Sequence, residues 1–331
     1  MNKKKILITG VAGFIGFSLA NKLLNNDYTI YGLDNINNYY DVKLKKKRIS
    51  FLKEKFKNNF KFKLLDISNT KKINNFFSKH SFEKVFHFAA QAGVRYSLYH
   101  PEKYLNSNLV GFSNIIFNCK KRKIKHLIYA SSSSVYGANK KIPYKEKHEV
   151  SLPMQYYAAT KISNELIAQS YSSLYKLKCT GLRFFTVYGP WGRPDMSIYK
   201  FVDSIIKNKP IEVYNNGIHS RDFTYIDDAI KLTLGVANSN IYFDKNRYHR
   251  ILNIGHGKPT PLKKFIKIIE IKTKKKFKII LKPKQKGDMI RTYACTNKLN
   301  KIIKLKNKTS LDTGISKFIN WYKEYIFEKI Y

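Results

Sequence analysis

Cysteine is scarce in this 331-residue chain: Cys119, Cys179 and Cys295 stand far apart and are odd in number. Such spacing suggests neither a disulfide framework nor a zinc site, and it fits a reducing, cytoplasmic setting. Acidic side chains are few as well, 22 against 63 Lys and Arg, which leaves a formal net charge of +41. A charge of that size first suggests nucleic acid. The lysines, however, are scattered through nearly every segment among Asn and Ile, with no basic stripe interleaved with aromatics, so no nucleic-acid partner is expected. Long apolar runs are also missing. The stretch after Lys3-Lys4-Lys5 is broken by Gly10, Gly13 and Gly16 and lacks a small-residue cleavage site, which argues against export. No other segment is apolar for long enough to insert into a membrane.

What is present is a regular alternation of short apolar strands and amphipathic helices, the pattern of an α/β doubly wound parallel sheet of the Rossmann type. Lys5 to Thr9 reads as the first strand and Phe14 to Asn25 as the first helix, with Gly10-Val11-Ala12-Gly13-Phe14-Ile15-Gly16 between them. Glycines at this spacing allow a tight turn and a close approach to a pyrophosphate, and the helix N-terminus favours the anion. Asp34 ends the second strand 18 residues after Gly16, where a carboxylate would accept hydrogen bonds from an adenosine ribose. A 2′-phosphate there would be repelled, so NAD is expected rather than NADP. Asn35 to Asn59 is lysine-rich and reads as an insertion whose charges form a solvated face. The third strand, Phe60 to Leu65, delivers Asp66 and Ile67; the fourth, Val85 to Ala89, contains His87, read as a packed core histidine, and runs into Ala90-Gln91-Ala92-Gly93. A helix is expected from Tyr104 to Lys120.

The fifth strand, His126 to Ala130, empties into Ser131-Ser132-Ser133-Ser134-Val135-Tyr136. About 25 residues later comes Tyr157-Ala158-Ala159-Thr160-Lys161 on a helix expected to reach Tyr175. Four residues apart on a helix, the ammonium lies beside the phenol, which favours the phenolate and makes a base. A serine at the carboxyl end of the fifth strand can hold the hydroxyl that such a base deprotonates. After the sixth strand, Cys179 to Phe184, the texture changes to Gly and Pro in 187–196, with a helix near Ser197 to Lys207, a strand at Ile251 to Ile254, Asp227 as a helix cap, a charged turn at Gly287 to Arg291 and a last helix near Ser316 to Glu328. We expect residues 1–186 to form the NAD-binding domain, with segments near 221–256 returning to it, and 187–331 to form mainly a smaller C-terminal α/β substrate-binding domain.

With these strings assembled, the chain resembles the extended short-chain dehydrogenase/reductase family and, within it, the UDP-glucuronate 4-epimerases. The resemblance rests on Thr9 to Gly16, Ala89 to Ser97, Ala130 to Ala138, Tyr157 to Lys161, Thr180 to Met196 and Arg221 to Asp228. It implies Tyr157 as the base, Lys161 as its partner and ribose ligand, and Ser132 as the active-site hydroxyl. It further implies that Gly10, Gly13, Phe14, Ile15, Gly16, Asp34, Asp66, Ile67, Ala89, Ala90, Gln91, Asn108 and Ser131 line NAD. Arg193 is implied as the grip on a sugar carboxylate, with Arg95, Ser133, Thr186, Arg221, Asp288 and Arg291 around the rest of a UDP-sugar. The expected reaction is oxidation at C4, rotation of the 4-keto sugar and reduction on the other face. A neutral UDP-glucose 4-epimerase would not need Arg193 and is the alternative, followed by a decarboxylase forming UDP-xylose. A 4,6-dehydratase needs acids where Ser133 and Ser134 stand. The resemblance also implies a homodimer through the Tyr104–Lys120 and Met154–Tyr175 helices.

Overall fold

The computed structural model describes residues 4–243, 247–285 and 288–330. Six strands of the central sheet come in chain order: β1 (Lys5–Thr9), β2 (Thr29–Asp34), β3 (Phe60–Leu64), β4 (Lys84–His87), β5 (His126–Ser132) and β6 (Cys179–Phe184). A seventh, His249–Ile254, joins beside β6, giving the order His249–Ile254, β6, β5, β4, β1, β2, β3. All pairings in this sheet are parallel. Parallel strands need crossover connections on both faces, so the inner strands are apolar on both sides, while the edge strand β3 carries exposed Lys61 and Lys63. In β1, Ile6 and Ile8 pack with Phe17, Leu23 and Leu24 of helix α1 (Phe14–Leu24) on one face. Leu7, between them, packs with Phe76, Phe112 and Ile115 on the other. Strand order reverses between β1 and β4, and ligands of such sheets bind at the carboxyl ends beside that switch point.

The second lobe is built on Ser220–Tyr225, which pairs with Thr186–Tyr188 and Arg291–Thr292 in parallel and with Pro259–Pro261 antiparallel. A two-stranded piece, Ile211–Tyr214 with Ile279–Lys282, lies beside it, under the helices Ser197–Ile206, Leu262–Thr273 and Leu311–Ile330. Three expected elements differ in detail. The helix foreseen over Tyr104 to Lys120 is split: Pro101–Tyr104 is α-helical, Leu105–Val110 widens into a π-helix, and Gly111–Lys121 resumes the α form. Asp227 is not a cap, because that helix begins at Ile226 with Tyr225 before it; the acid instead sits in the first turn, where it suits the helix dipole. The last helix starts at Leu311, five residues early, because Ser310 Oγ accepts the Thr313 amide and caps it. Of the charged turn foreseen at 287–291, Gly287 and the preceding Lys286 lie outside the described residues. His87 is buried, bonded to Thr9 Oγ1 at 2.7 Å, and burial pushes it down to about 3, so it is neutral in the core. No described helix is long and apolar enough to cross a membrane.

Candidate active site

The carboxyl ends of β1, β2, β4 and β5 form one side of a cavity of about 930 Å³, and the second lobe forms the other. Its floor is the turn after β1. Gly10 has φ +74°, and a Cβ there would lie 2.6 Å from the Ala89 amide nitrogen, so the turn presses directly on the chain leaving β4. The Gly13 amide donates to Gly10 O at 2.9 Å, which aims the start of α1 into the cavity. Asp34 ties the turn to β2: Oδ2 accepts the Ala12 amide at 3.0 Å and Oδ1 accepts the Ile36 amide at 2.8 Å. Burial pushes its carboxyl up, against those two bonds and the nearby Lys45 and Arg48 charges.

Lys45 and Arg48 correct the expectation that 35–59 is only a solvated face. Both are buried, on helix α2 (Val42–Lys55) beside Leu44, Ile49 and Leu52. Arg48 donates to Ala12 O and Tyr40 Oη, each at 2.7 Å, and to Trp191 O at 2.5 Å. It thereby joins the glycine turn to the loop after β6, satisfying carbonyls that would otherwise be buried unpaired. Lys45 lines the cavity, donates to Asn37 O and Oδ1 at 2.7 Å, and is pushed down to about 8 by burial. Sequence reasoning missed both. The available signal was their place on the apolar stripe of α2, Arg48 four residues after Leu44 and four before Leu52.

Tyr157, in the first turn of the helix Tyr156–Tyr175, lines the cavity with Ser131, Ser132 and Ser133 from the end of β5. Burial raises the Tyr157 phenol, while a hydrogen bond from Ser132 and the Arg193 charge pull it down. Lys161 stands one turn further along the same helix. Its Nζ donates to Ala130 O at 2.9 Å, and burial pushes it down to about 8 against the Glu165 charge. Glu165 in turn accepts from Ser131 Oγ at 2.6 Å and is gripped by Arg183 through Nε at 2.9 Å and Nη2 at 2.7 Å. Lys161 is thus anchored at the strand end, on the same cavity as Tyr157.

The structure also gathers most of the remaining candidates on the cavity wall. Phe14, Ile15, Ile67, Ala89, Ala90 and Gln91 lie on the first lobe's side. Thr186, Arg193, Arg221 and Asp288 face them, and Arg95 reaches across to Asp288 at 3.0 Å with Tyr214 under its guanidinium. Burial lowers Arg221, with Arg95 acting the same way and Asp288 opposing. Three candidates are not on the wall. Asn108 stands behind it, accepting the Gln91 amide at 2.8 Å and donating to Gln91 O and Thr160 Oγ1, so it braces Gln91 through the π-helix. Asp66 binds Asn35 Nδ2 and Ser68, which hold its carboxyl low against desolvation. Arg291 is exposed, its guanidinium over the Tyr293 ring.

A glycine turn at the switch point, a carboxylate at the end of β2 and a tyrosine, lysine and serine at the mouth of β5 define a dinucleotide-dependent site of the short-chain dehydrogenase/reductase kind. The residues fit NAD: a Cβ at Gly10 or Gly16 would collide with backbone, so the turn stays open to a close approach, and the α1 N-terminus lies on the cavity where it favours an anion. Residues 6–255 match the NAD dependent epimerase/dehydratase family, and the chain belongs to it. It is 39% identical to a probable UDP-glucuronate 4-epimerase of Rhizobium meliloti, over 97% of each chain. It is 40% identical to UDP-glucuronate 4-epimerase 4 of Arabidopsis thaliana, over 97% of this chain and 75% of that one. Among solved structures it is similar to UDP-glucuronic acid 4-epimerase from Bacillus cereus in complex with UDP-glucuronic acid and NAD. That likeness has a TM-score of 0.89 and 29% identity, over 97% of this chain and 99% of the other.

Proposed function

We infer that this chain is an isomerase that interconverts UDP-glucuronate and UDP-galacturonate at C4, with NAD as its cofactor. The observation that carries the reading is the guanidinium of Arg193 on the same cavity as Tyr157 and Ser132, near enough for its charge to act on the phenol. A uronate needs a cation there and a neutral sugar does not. Tyr157 takes the proton from the sugar 4-hydroxyl while Ser132 holds that hydroxyl, and it returns the proton after the ring has turned. NAD, held by the glycine turn and the ends of β2, β4 and β5, would supply a reversible hydride acceptor. Lys161 and the Asp34 carboxylate hold the two riboses, and the second lobe, mainly 187–331, holds the UDP-sugar with Arg95, Ser133, Thr186, Arg221 and Asp288.

The 4-keto uronate is a β-keto acid and loses carbon dioxide readily. Arg193 holds the carboxylate against that loss. Arg193→Ala is expected to lower turnover of UDP-glucuronate by roughly a hundredfold, as removal of one partner of a hydrogen-bonded charge pair does. Initial rates on UDP-glucuronate and UDP-glucose, resolved by chromatography, check it. A variant as fast as the parent on the uronate would return the assignment to a neutral-sugar epimerase.

The same reading gives a cytoplasmic homodimer. Cys119 and Cys179 are buried and unpaired, as a reducing compartment requires. Phe117 on one helix and Leu166, Leu174 and Tyr175 on the next are between 43% and 69% exposed, an apolar face that a second copy would cover. Sedimentation is expected to give twice the chain mass, and Leu166→Glu with Leu174→Glu to give the monomer. A parent that sediments as a monomer at micromolar concentration would rule the dimer out.

A further inference from the structure

Arg193 does not meet the cavity as an uncommitted cation. Its Nε donates to Asp195 Oδ1 at 2.9 Å and its Nη2 to Oδ2 at 2.5 Å, a two-pronged pair formed across Pro194. Tyr39 Oη donates to the same Oδ2 at 3.2 Å. Tyr39 is itself fixed. Its ring packs on Tyr96 with centroids 4.8 Å apart, and a Cβ on Gly93 would come within 2.0 Å of its hydroxyl oxygen. Arg193, Asp195 and Tyr39 all line the cavity, yet they arrive from segments more than 150 residues apart in sequence. A guanidinium has two edges that can each bind a carboxylate. Here the Nε–Nη2 edge is taken, and among the described residues Nη1 has no protein partner.

We propose that Asp195, held by Tyr39, is a resident carboxylate that positions Arg193, so that the substrate carboxylate meets only the outer Nη1–Nη2 edge, at one fixed angle. The proposal rests on the reading of Arg193 given above and adds its positioning residues. Two consequences follow from the chemistry. Asp195 offsets part of the Arg193 charge, so paired hydrogen bonds add to charge in selecting a uronate. The fixed fork also sets the plane of the bound carboxylate. In the 4-keto intermediate the C5–C6 bond breaks when it aligns with the carbonyl π system: its electron pair passes into the C4 enolate, carbon dioxide leaves, and C5 later takes a proton from water. A guanidinium that cannot swing keeps that bond out of alignment.

Asp195→Asn tests this with little change of shape, because the amide N–H meets an Arg193 N–H and the fork opens. On UDP-glucuronate, KM is expected to rise about tenfold or more, and the fraction of turnovers that release carbon dioxide to rise several-fold, while UDP-glucose turnover changes less. Tyr39→Phe should shift both readouts in the same direction by a smaller factor, and it keeps the test available if the Asn variant fails to fold. Unchanged KM and unchanged carbon dioxide release in both variants, with Arg193→Ala still impaired, would overturn the proposal and leave the function standing. An equal loss on both sugars would overturn it too, as plain structural damage. An Arg193→Ala enzyme that handles the uronate normally would instead remove the reading beneath it.

Discussion

Tyr157→Phe is expected to lower epimerisation by roughly a thousandfold, within the range that general acid–base groups contribute. The ring would stay in place, since it packs edge-on against Tyr104 with centroids 6.0 Å apart, and the change removes only the hydroxyl beside Ser132. Nucleotide content and thermal midpoint should therefore match the parent. Rates by NMR on UDP-glucuronate, with nicotinamide content from the denatured protein, make the check; more than a tenth of parental activity would remove Tyr157 as the base. The pH profile carries a related expectation. Burial pushes Lys161 down to about 8, below its usual range, so its ammonium is present at lower pH and lost as pH rises through that value. Activity that needs the ammonium should fall on the alkaline side near there.

Gly16→Ala should have an effect of comparable size by another route. A Cβ at this position would lie 2.2 Å from Gly10 O and 2.9 Å from Gly10 C, both backbone atoms that no rotamer change can move. The start of α1 must lift from the turn, which separates the helix N-terminus from the place it offers a diphosphate. Overpacking of this kind costs about 1–3 kcal/mol, and bound NAD should be lost. Gly13→Ala is the milder comparison, with its Cβ 3.0 Å from the same oxygen. Urea unfolding and nucleotide content after purification read both variants. A Gly16→Ala protein that keeps its nucleotide would show that the turn does not carry the cofactor.

The parts of this molecule legible in its sequence are those encoded by neighbours in the chain. β6 runs over Cys179–Phe184 as expected, and Gly10 and Gly16 announce their turn because a Cβ at either would collide with backbone. Arg48 was not legible, since its partner Trp191 is 143 residues away and an arginine in a lysine-rich helix looks solvated until that contact exists. Asn108 and Arg291 were named as site residues only through the family resemblance. The π-helix turns Asn108 toward the Gln91 backbone, and Arg291 faces outward over Tyr293, placements that chain neighbours do not encode. The bond from Lys161 to Ala130 O belongs to the same class, because helix periodicity places the lysine on a face and only the packed strand end decides what it touches.

The most direct test of the account is to give the purified protein UDP-glucuronate deuterated at C4, with no added cofactor, and follow the products by NMR. The account predicts UDP-galacturonate with the deuterium still at C4 and no carbon dioxide, because the cofactor remains bound and returns what it takes. UDP-xylose as the product, or UDP-galacturonate whose C4 label has been lost to water, would contradict it.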